Sequence, residues 1–377
     1  MTFPNHKARI LTMTITDVSV RPYVLPESLD VPEAQPFIAA SELSNLIERE
    51  VWGNDDHCHT AQTRFESSKP NHYEERAIFL AFEGERVVGK AVVDVPLTDN
   101  LQTCYAFVIV HPERRRLGFG SALYAAVEDH AQRRGRSTIM GWTDHRAGFD
   151  PARVLTPATG AGAFPSTSLA ACFATARGFS LAQVDRCSVL PVNWNSCRLT
   201  ALTADAAKIA GPDYAVVDWV DRCPDELLEE YAHLRKTMST DVPMGELDWE
   251  EEVWDGGRVR ENEGRLEREG GSSLVRAVLH RPSGHLVGHT ILERRAEKPG
   301  TAYQEDTLVV SAHRGHRLGM WLKAANLLAV PDVWPETRQV YTWNAEENRH
   351  MLDVNIELGF TPEGYTAAWQ KKLESAG

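Results

Sequence analysis

The stretch VIVHPERRRLGFG at residues 108–120 decides the fold of this chain, because its pattern occurs a second time. The second copy, LVVSAHRGHRLG, occupies residues 308–319. Four pairs of matching residues are each 199 positions apart: Gly89 and Gly288, Val110 and Val309, Arg115 and Arg314, and Gly120 and Gly319. An offset that is kept over about thirty residues predicts two copies of one fold.

The residues around both copies predict the same succession of helices and strands. In the first half we expect a helix at 43–51, strands at 77–82, 86–95 and 103–110, a helix at 121–134, a strand at 138–142, a helix at 167–177 and a strand at 182–191. In the second half we expect a helix at 224–237, strands at 273–279, 286–293 and 307–310, a helix at 320–329, a strand at 339–343, a helix at 348–358 and a final strand. Residues 147–165 are expected to form a loop, which holds the 18 residues that the first half has in excess.

The sequence therefore predicts an α/β protein with a mixed α+β sheet, divided into two tandem domains at 14–195 and 196–377. Each domain is expected to be a mostly antiparallel twisted sheet flanked by helices. Residues 1–13 are expected to be a flexible tail.

Composition excludes several classes of function. The 377 residues are 42% apolar and 25% charged, so each half can bury a core. A net charge of −13 argues against nucleic acid or an anionic membrane as the main partner. No apolar run approaches the roughly 18 residues that a membrane span needs. The six cysteines form no C-x-x-C pair, which is typical of reduced thiols in the cytoplasm.

One short motif resembles a metal cluster. His57, Cys58 and His59 follow two aspartates, but no second group of ligands occurs at the spacing of a metal site. We expect a polar loop here and no bound metal.

The chemistry of the repeated turn points to phosphate. A strand followed by a basic turn and a helix presents unpaired backbone N–H groups at the positive end of the helix dipole. Glycines let the backbone approach a ligand closely. A dinucleotide-binding fingerprint is the competing interpretation, but Leu123 stands where its third glycine would be.

Both turns, together with N-x-x-M-L-x-x-N-x-x-L-G-F at residues 348–360, resemble the acetyl-CoA signature of the GNAT superfamily of N-acetyltransferases. The resemblance implies that acetyl-CoA is the co-substrate, that the strand before each turn splays from its neighbour to pair with pantetheine, and that the turn wraps the pyrophosphate. In the first half it implies these cofactor-binding residues: Val108, Ile109, Val110, Arg115, Arg116, Leu117, Gly118, Phe119, Gly120 and Ser121. In the second half it implies these: Thr307, Leu308, Val309, Arg314, Gly315, His316, Arg317, Leu318, Gly319, Asn344 and Asn348.

The two copies depart from the family pattern in different ways. The second copy has Arg317 in place of the first glycine of the turn, which puts close approach of phosphate in doubt. Neither copy has the family's tyrosine general acid, because Ala174 and Asn355 occupy its position. The strand at 103–110 contains no carboxylate, whereas the second half keeps Glu305 and Asp306.

Glu305 is accordingly the candidate general base. A lysine-like amine is neutral in only about one part in a thousand at pH 7, so a positioned carboxylate aids attack by roughly 10²–10⁴-fold. Simple strand alternation predicts that Glu305 shares a face with Thr307 and Val309. We expect the second half to be catalytic and the first to be a cofactor-binding or structural copy. Water, Tyr303 or Tyr341 is expected to protonate the leaving thiolate.

The acceptor is expected to be a primary amine of a small molecule or peptide, and the protein a monomer or homodimer. Residues 241–269 are dense in Glu and Asp but contain Trp249 and Trp254. They predict either an amphipathic helix packed by its tryptophans or an acidic lid for a cationic acceptor.

Three other interpretations stay open. The protein is a non-catalytic acyl-CoA-binding or sensing protein if the altered catalytic positions reflect lost chemistry. It is an interaction scaffold if neither copy binds CoA. A dehydrogenase is the least favoured.

Overall fold

The computed structural model describes residues 18–191 and 196–374. Its strands are β1 (Ser19–Tyr23), β2 (Glu74–Glu83), β3 (Arg86–Pro96), β4 (Thr103–Val110), β5 (Thr138–Arg146), β6 (Val154–Leu155), β7 (Phe164–Pro165), β8 (Ser180–Pro191), β9 (Tyr214–Val220), β10 (Gly271–His280), β11 (His285–Arg295), β12 (Thr301–Val309), β13 (Gln339–Ala345) and β14 (Thr361–Lys372). Its α-helices are α1 (Gln35–Trp52), α2 (Ala61–Ser67), α3 (Phe119–Arg133), α4 (Leu169–Thr175), α5 (Ser196–Ala210), α6 (Leu228–Asp241), α7 (Gly256–Arg268), α8 (Leu318–Val333) and α9 (Arg349–Leu358). The predicted tail at 1–13 lies outside the described residues.

The described strands form a 12-stranded sheet in the order β1-β2-β3-β4-β5-β14-β8-β13-β12-β11-β10-β9. Neighbouring strands in it are antiparallel except for the pairs β4–β5 and β12–β13. The predicted mixed α/β fold with two repeated, mostly antiparallel halves is confirmed.

The two halves exchange their last strands. β14, at the end of the second half, lies between β5 and β8, while β8, at the end of the first half, pairs with β13. One sheet therefore runs through both halves. The sheet does not break at the predicted domain boundary between residues 195 and 196, and this boundary stays a prediction.

Helices cover both faces of the sheet. Leu80 of β2 packs with Phe37 of α1, whereas the next residue, Ala81, packs with Leu123 of α3. We call the face under α1 the front and the face under α3 the back. In the second half the same alternation places α6 on the front and α8 on the back. Trp52, at the end of α1, reaches across the front to β13 of the other half.

The predicted elements around both turns are confirmed, with ends that shift by a few residues or more. Four further elements were not expected from the sequence: β1, α2, α5 and β9. The predicted loop at 147–165 contains only the two-residue strands β6 and β7, and it joins β5 to α4. The matching connection in the second half is only residues 346–348, so the extra residues lie where the offset placed them.

Among the helices in the described ranges, none combines the length and the hydropathy that a membrane crossing requires.

Candidate active site

In each half, one strand parts from its parallel neighbour before it ends. β4 pairs with β5 only from Thr103 to Tyr105, although β4 continues to Val110. β12 pairs with β13 only from Thr301 to Gln304. The backbone groups beyond these points have no partner on the neighbouring strand, so an extended ligand can bind them there. The splayed strands that the resemblance implied are confirmed in both halves.

Each parted strand leads to a turn that presents backbone amides. In the described chain, the amides of residues 116–121 and 315–320 donate no backbone hydrogen bond. They open α3 and α8, where the helix dipole adds positive potential. The arrangement suits a phosphate group in both halves.

The two turns share one backbone conformation in which arginine and glycine have changed places. Arg116 has a φ of 64° and the matching Gly315 has 87°; Gly118 has 93° and Arg317 has 55°. Arg317 therefore keeps the left-handed conformation of the glycine it replaces. Its guanidinium donates to Glu357 of α9 at 2.6 Å.

The assignment of Arg115 and Arg314 to the pyrophosphate suggests that their side chains point freely into the turns. Both side chains instead contact other protein groups. Nε of Arg115 donates to the Val110 carbonyl at 3.2 Å, and the guanidinium forms a two-pronged ion pair with Glu50 of α1. Arg314 repeats this contact on the carbonyl that ends β12, at 3.1 Å, and pairs with Asp241 at the end of α6. Both arginines fix the end of a strand, and their charge is already matched by a carboxylate.

Other predicted cofactor residues of the first half contribute mainly backbone. Four of them have side chains in or against the core: Val108, Ile109, Val110 and Phe119. The Ser121 hydroxyl accepts a hydrogen bond from Arg177 at 2.6 Å. A Cβ at Gly120 would lie 3.0 Å from the ring of Phe173, so this glycine allows α3 to approach α4. Arg116 and Leu117 are exposed at the turn.

The second half shows the same division. Four of its predicted residues are buried: Thr307, Leu308, Leu318 and Gly319. Val309 packs against α8, and the ring of His316 lies 5.2 Å from that of Tyr214. A Cβ at Gly319 would have only Val309 near it, at 3.9 Å.

The prediction that Glu305 shares a face with Thr307 and Val309 is wrong, because β12 contains a β-bulge. The pairing with β11 shifts by one residue between Thr307 and Gln304, and the Gln304 amide donates to the Thr307 hydroxyl at 3.4 Å, so both lie on the back. Asp306 instead forms an ion pair with Arg235 of the front helix α6 at 3.3 Å. Glu305, inserted beside it, lies on the front. β4 pairs with β3 without such a bulge.

Glu305 is a free carboxylate at this bulge. Its side chain is exposed, and in the described residues its carboxylate has no hydrogen-bond donor or ion-pair partner. Partial burial among the strands and then the negative charges of Glu293 and Asp306 raise the pKa of Glu305 well above the usual range of a glutamate. The charges of Arg295 and Arg235 act in the opposite direction and offset part of this shift. The group is suited to accept a proton near neutral pH.

The front of the first half is aromatic instead of acidic. Phe107, at the position of Asp306, is an exposed hydrophobic residue. The ring of Tyr105 lies 5.7 Å from Trp142 and 5.6 Å from Trp249, a residue of the second half. This front offers an acceptor amine no carboxylate on β4.

A pair of asparagines replaces the family's tyrosine in the second half. Asn355 of α9 is buried, and its amide donates to the side-chain oxygen of Asn344 on β13 at 2.5 Å. The side-chain oxygen of Asn355 has no partner in the described residues. The predicted cofactor residue Asn348 caps α9, because its side chain accepts from the Met351 amide.

The structure gives Tyr303 and Tyr341 a different role from that of a general acid. The Tyr303 hydroxyl donates to the Asp56 carbonyl at 2.6 Å, and the Tyr341 hydroxyl donates to the Asp56 carboxylate at 2.9 Å. Burial, together with the charge of Asp56, raises the pKa of both phenols. Sequence reasoning missed Asp56, because no local signal links it to tyrosines more than 240 residues away.

The side chains of the predicted polar loop have separate environments. The His57 ring packs among aromatic rings, the Cys58 thiol lies 3.6 Å from the Asn45 carbonyl, and His59 contacts Glu297 at 2.9 Å. Within residues 18–191 and 196–374, no group of three or more metal-ligating side chains is arranged to hold an ion.

The acidic segment does not support the lid interpretation. Its residues 242–255 cross the front of the first half, and α7 follows. Asp248 pairs with Lys372, Glu251 with Lys236 and Glu269 with Arg295. Most of its carboxylates are thus neutralised by partners. The predicted amphipathic helix is confirmed only in part: α7 buries Val259 and Leu266, but Trp249 and Trp254 lie before it.

Comparison with known proteins agrees with this geometry. Residues 43–153 match the acetyltransferase (GNAT) family. No curated relative matches the sequence.

A tandem GNAT protein from the clavulanic acid biosynthesis pathway has a similar structure. It is 24% identical with a TM-score of 0.73, over 96% of this chain and 100% of that one. A GCN5-related N-acetyltransferase from Sphaerobacter thermophilus is 14% identical with a TM-score of 0.57, over 94% and 95%. A putative acetyltransferase from Pyrococcus horikoshii is 11% identical with a TM-score of 0.51, over 98% and 94%. The chain therefore has the tandem GNAT fold, and its residues 43–153 are similar to the acetyltransferase (GNAT) family.

Proposed function

We propose that the protein is an acetyl-CoA-dependent N-acetyltransferase whose second half transfers the acetyl group to a primary amine of a small molecule or peptide. The observation that carries this proposal is the free carboxylate of Glu305, at the bulge where β12 parts from β13. No carboxylate takes this place on β4.

The residues of the second half suit the requirements of acyl transfer. Bound acetyl-CoA would supply an acetyl group activated as a thioester. The amides of residues 315–320 can bind its pyrophosphate, and a bulge leaves a backbone amide of β12 outside the sheet ladder, where it can donate to a carbonyl oxygen. Glu305 accepts a proton from the acceptor ammonium, directly or through water, so that the neutral amine attacks. The nitrogen–carbon bond forms, the carbon–sulfur bond breaks, the nitrogen releases its second proton to water, and water protonates the thiolate.

A second candidate is a non-catalytic acyl-CoA-binding or sensing protein. The observation that favours it is the lack of a free general acid at the expected positions, where Ala174 and Asn355 stand. Under this alternative acetyl-CoA binds, but no amine triggers release of the CoA thiol.

Release of free thiol from acetyl-CoA in the presence of a panel of primary amines tests the proposal. We expect turnover by the natural chain and a loss of roughly 10²–10⁴-fold in kcat for Glu305→Gln, because the variant cannot accept a proton. Glu250→Gln, which changes an exposed carboxylate of the acidic segment, is the matched control and should keep the rate. Unchanged turnover in Glu305→Gln would move the chemistry away from this residue.

We further propose a cytoplasmic protein that acts as a monomer or homodimer, without nucleic acid or membrane as a partner. The net charge of −13 supports the absence of nucleic acid. The six cysteines are free thiols in the structure, which supports a reducing compartment.

A further inference from the structure

A loop of the first half reaches the front of the second half beside Glu305. We call residues 54–59, which follow α1, the crossing loop. Its Asp56 accepts hydrogen bonds from Tyr303 of β12 and Tyr341 of β13, at 2.6 and 2.9 Å. The loop is therefore tied to both strands that part at the candidate site.

The far end of the crossing loop is anchored as well. Glu297, between β11 and β12, contacts the His59 ring at 2.9 Å and accepts from the Thr60 amide at 3.0 Å and the Thr63 hydroxyl at 2.7 Å. Burial opposes ionisation of Glu297, but these three contacts lower its pKa to about 2. The carboxylate stays charged, so the position of the loop is fixed at two points.

Between these points the loop places His57 over an aromatic surface of the second half. The centroid of the His57 ring lies 4.6 Å from that of Tyr341, 5.7 Å from Trp343 and 6.1 Å from Tyr303. Burial lowers the pKa of His57 to about 4, so the ring is neutral at pH 7. Its Nε2 atom is buried and has no hydrogen-bond partner in the described residues.

This aromatic surface and Glu305 face the same space. Tyr303 and Glu305 are two residues apart on β12, with Glu305 at the bulge itself, and their side chains share the front. The charge of Glu305 contributes to the raised pKa of the Tyr303 phenol, after burial and the charge of Asp56. Trp343 is the first residue of β13 beyond its pairing with β12. An amine that approaches the parted strands from the front meets the carboxylate on one side and the rings on the other.

We propose that His57 forms one wall of the acceptor site of the second half, together with Tyr303 and Trp343, and that the acceptor is a primary amine attached to a ring or another apolar group. The inference rests on the proposed function of the second half. A neutral aromatic wall gains from contact with apolar or planar surface, whereas a flexible chain of ammonium groups gains less there. The site is complete only when both halves contribute to it.

The test compares two amines that both carry an ammonium group. Isothermal titration of the whole protein, saturated with coenzyme A, measures the affinities of phenethylamine and putrescine. We expect phenethylamine to bind at least tenfold more tightly than putrescine. His57→Ala should weaken phenethylamine at least fivefold and change putrescine less than twofold, and His57→Phe, which keeps a ring, should restore the affinity. Asp55→Asn is the control, because Asp55 lies on the same loop but pairs with Arg49 of its own half.

The outcomes distinguish a failure of the proposed acceptor-site wall from a failure of the proposed acetyl transfer. Equal affinities for the two amines, no binding of either, or normal binding of phenethylamine by His57→Ala would overturn the proposed wall. A general disturbance of the loop would weaken binding in His57→Phe as much as in His57→Ala, and this too would contradict a ring-specific role. Phenethylamine binding that depends on His57, without release of thiol from acetyl-CoA, would overturn only the proposed acetyl transfer.

Discussion

Glu305 lowers the stability of the folded protein but is suited to accept a proton, so stability and catalysis conflict at this residue. Its ionised carboxylate lies near two others, Glu293 and Asp306, and no cation in the described residues pairs with it. Such an arrangement destabilises the charged form in the folded state. A group kept for structure alone would have a partner, so the position of Glu305 argues for a function.

This conflict predicts that Glu305→Gln is more stable than the natural protein. The folded-state pKa of Glu305 is raised, so stability falls as pH rises from the ordinary glutamate pKa through the folded value. Glutamine carries no charge and removes this cost. The excess in Tm of Glu305→Gln should therefore be larger at pH 8 than at pH 5, as measured by calorimetry. A difference in Tm that is equal at pH 5 and pH 8, or a lower Tm of Glu305→Gln at pH 8, would contradict the raised pKa of Glu305. Glu250→Gln controls for the change in net charge.

Single residues differ in how far the sequence could predict them. Glu305 could be found, because a carboxylate beside the parted strands is visible in the sequence alone. Its face could not, because a bulge inserts one residue into a strand without changing the local composition. The partners of Arg115 and Arg314 could not be predicted either. Glu50 and Asp241 are distant from them in the sequence and contact them only in the folded chain.

At the scale of elements, the turn conformation is kept although its glycines move. Positive φ angles occur at the same two positions of both turns, yet one position is arginine in each. A pattern search that requires glycine at fixed places therefore underestimates the second copy. The elements that were not expected from the sequence, such as α5 and β9, lie outside the stretches that the repeated motif covers.

The contact between the crossing loop and the β11–β12 connection predicts a pH-dependent contribution to stability. Glu297→Ala should lower the free energy of unfolding by about 1–3 kcal/mol at pH 7, because donors of the first half lose their acceptor. The folded-state pKa of Glu297 is about 2, below its unfolded value. The stabilisation is thus fully present above the unfolded pKa and is lost as pH falls toward 2.

Urea denaturation at pH 7 and pH 3 measures this difference. The gap between the natural protein and Glu297→Ala should narrow at pH 3. Glu336→Ala, which changes an exposed glutamate of the same half, should leave stability within about 0.5 kcal/mol. A gap that does not depend on pH would mean that the carboxylate charge plays no part in holding the loop.

At the scale of the whole molecule, the two halves form one sheet and share their fronts. The exchange of β8 and β14 ties each half to the last strand of the other. The crossing loop covers part of the second front, and Trp249 of the second half covers part of the first. The 199-residue offset could predict two copies of one fold, but not this exchange. Strand order across a long connection is set by packing of the complete chain and leaves no periodic signal in the sequence.

The two turns predict how many molecules of acetyl-CoA bind, and they offer a matched pair of variants that tests this number. Gly118 has a φ of 93° and Gly315 has a φ of 87°, and a Cβ at either position would meet no atom of the described residues within 4 Å. Valine at either site therefore disturbs only the backbone, at a cost on the order of 1–3 kcal/mol for a left-handed non-glycine residue. Each substitution should displace the amides of one turn and leave the other turn intact.

Isothermal titration with acetyl-CoA should show two sites in the natural protein and one in each variant, because both turns keep the amides and the conformation that bind phosphate. Acetyl transfer should be lost with Gly315→Val and retained with Gly118→Val, since Glu305 lies beside the second turn. Retention in Gly315→Val and loss in Gly118→Val would assign the reaction to the first half, where β4 offers no carboxylate. A single site that disappears in Gly118→Val would mean that Arg317 prevents binding at the second turn, and the free carboxylate of Glu305 would then require another explanation.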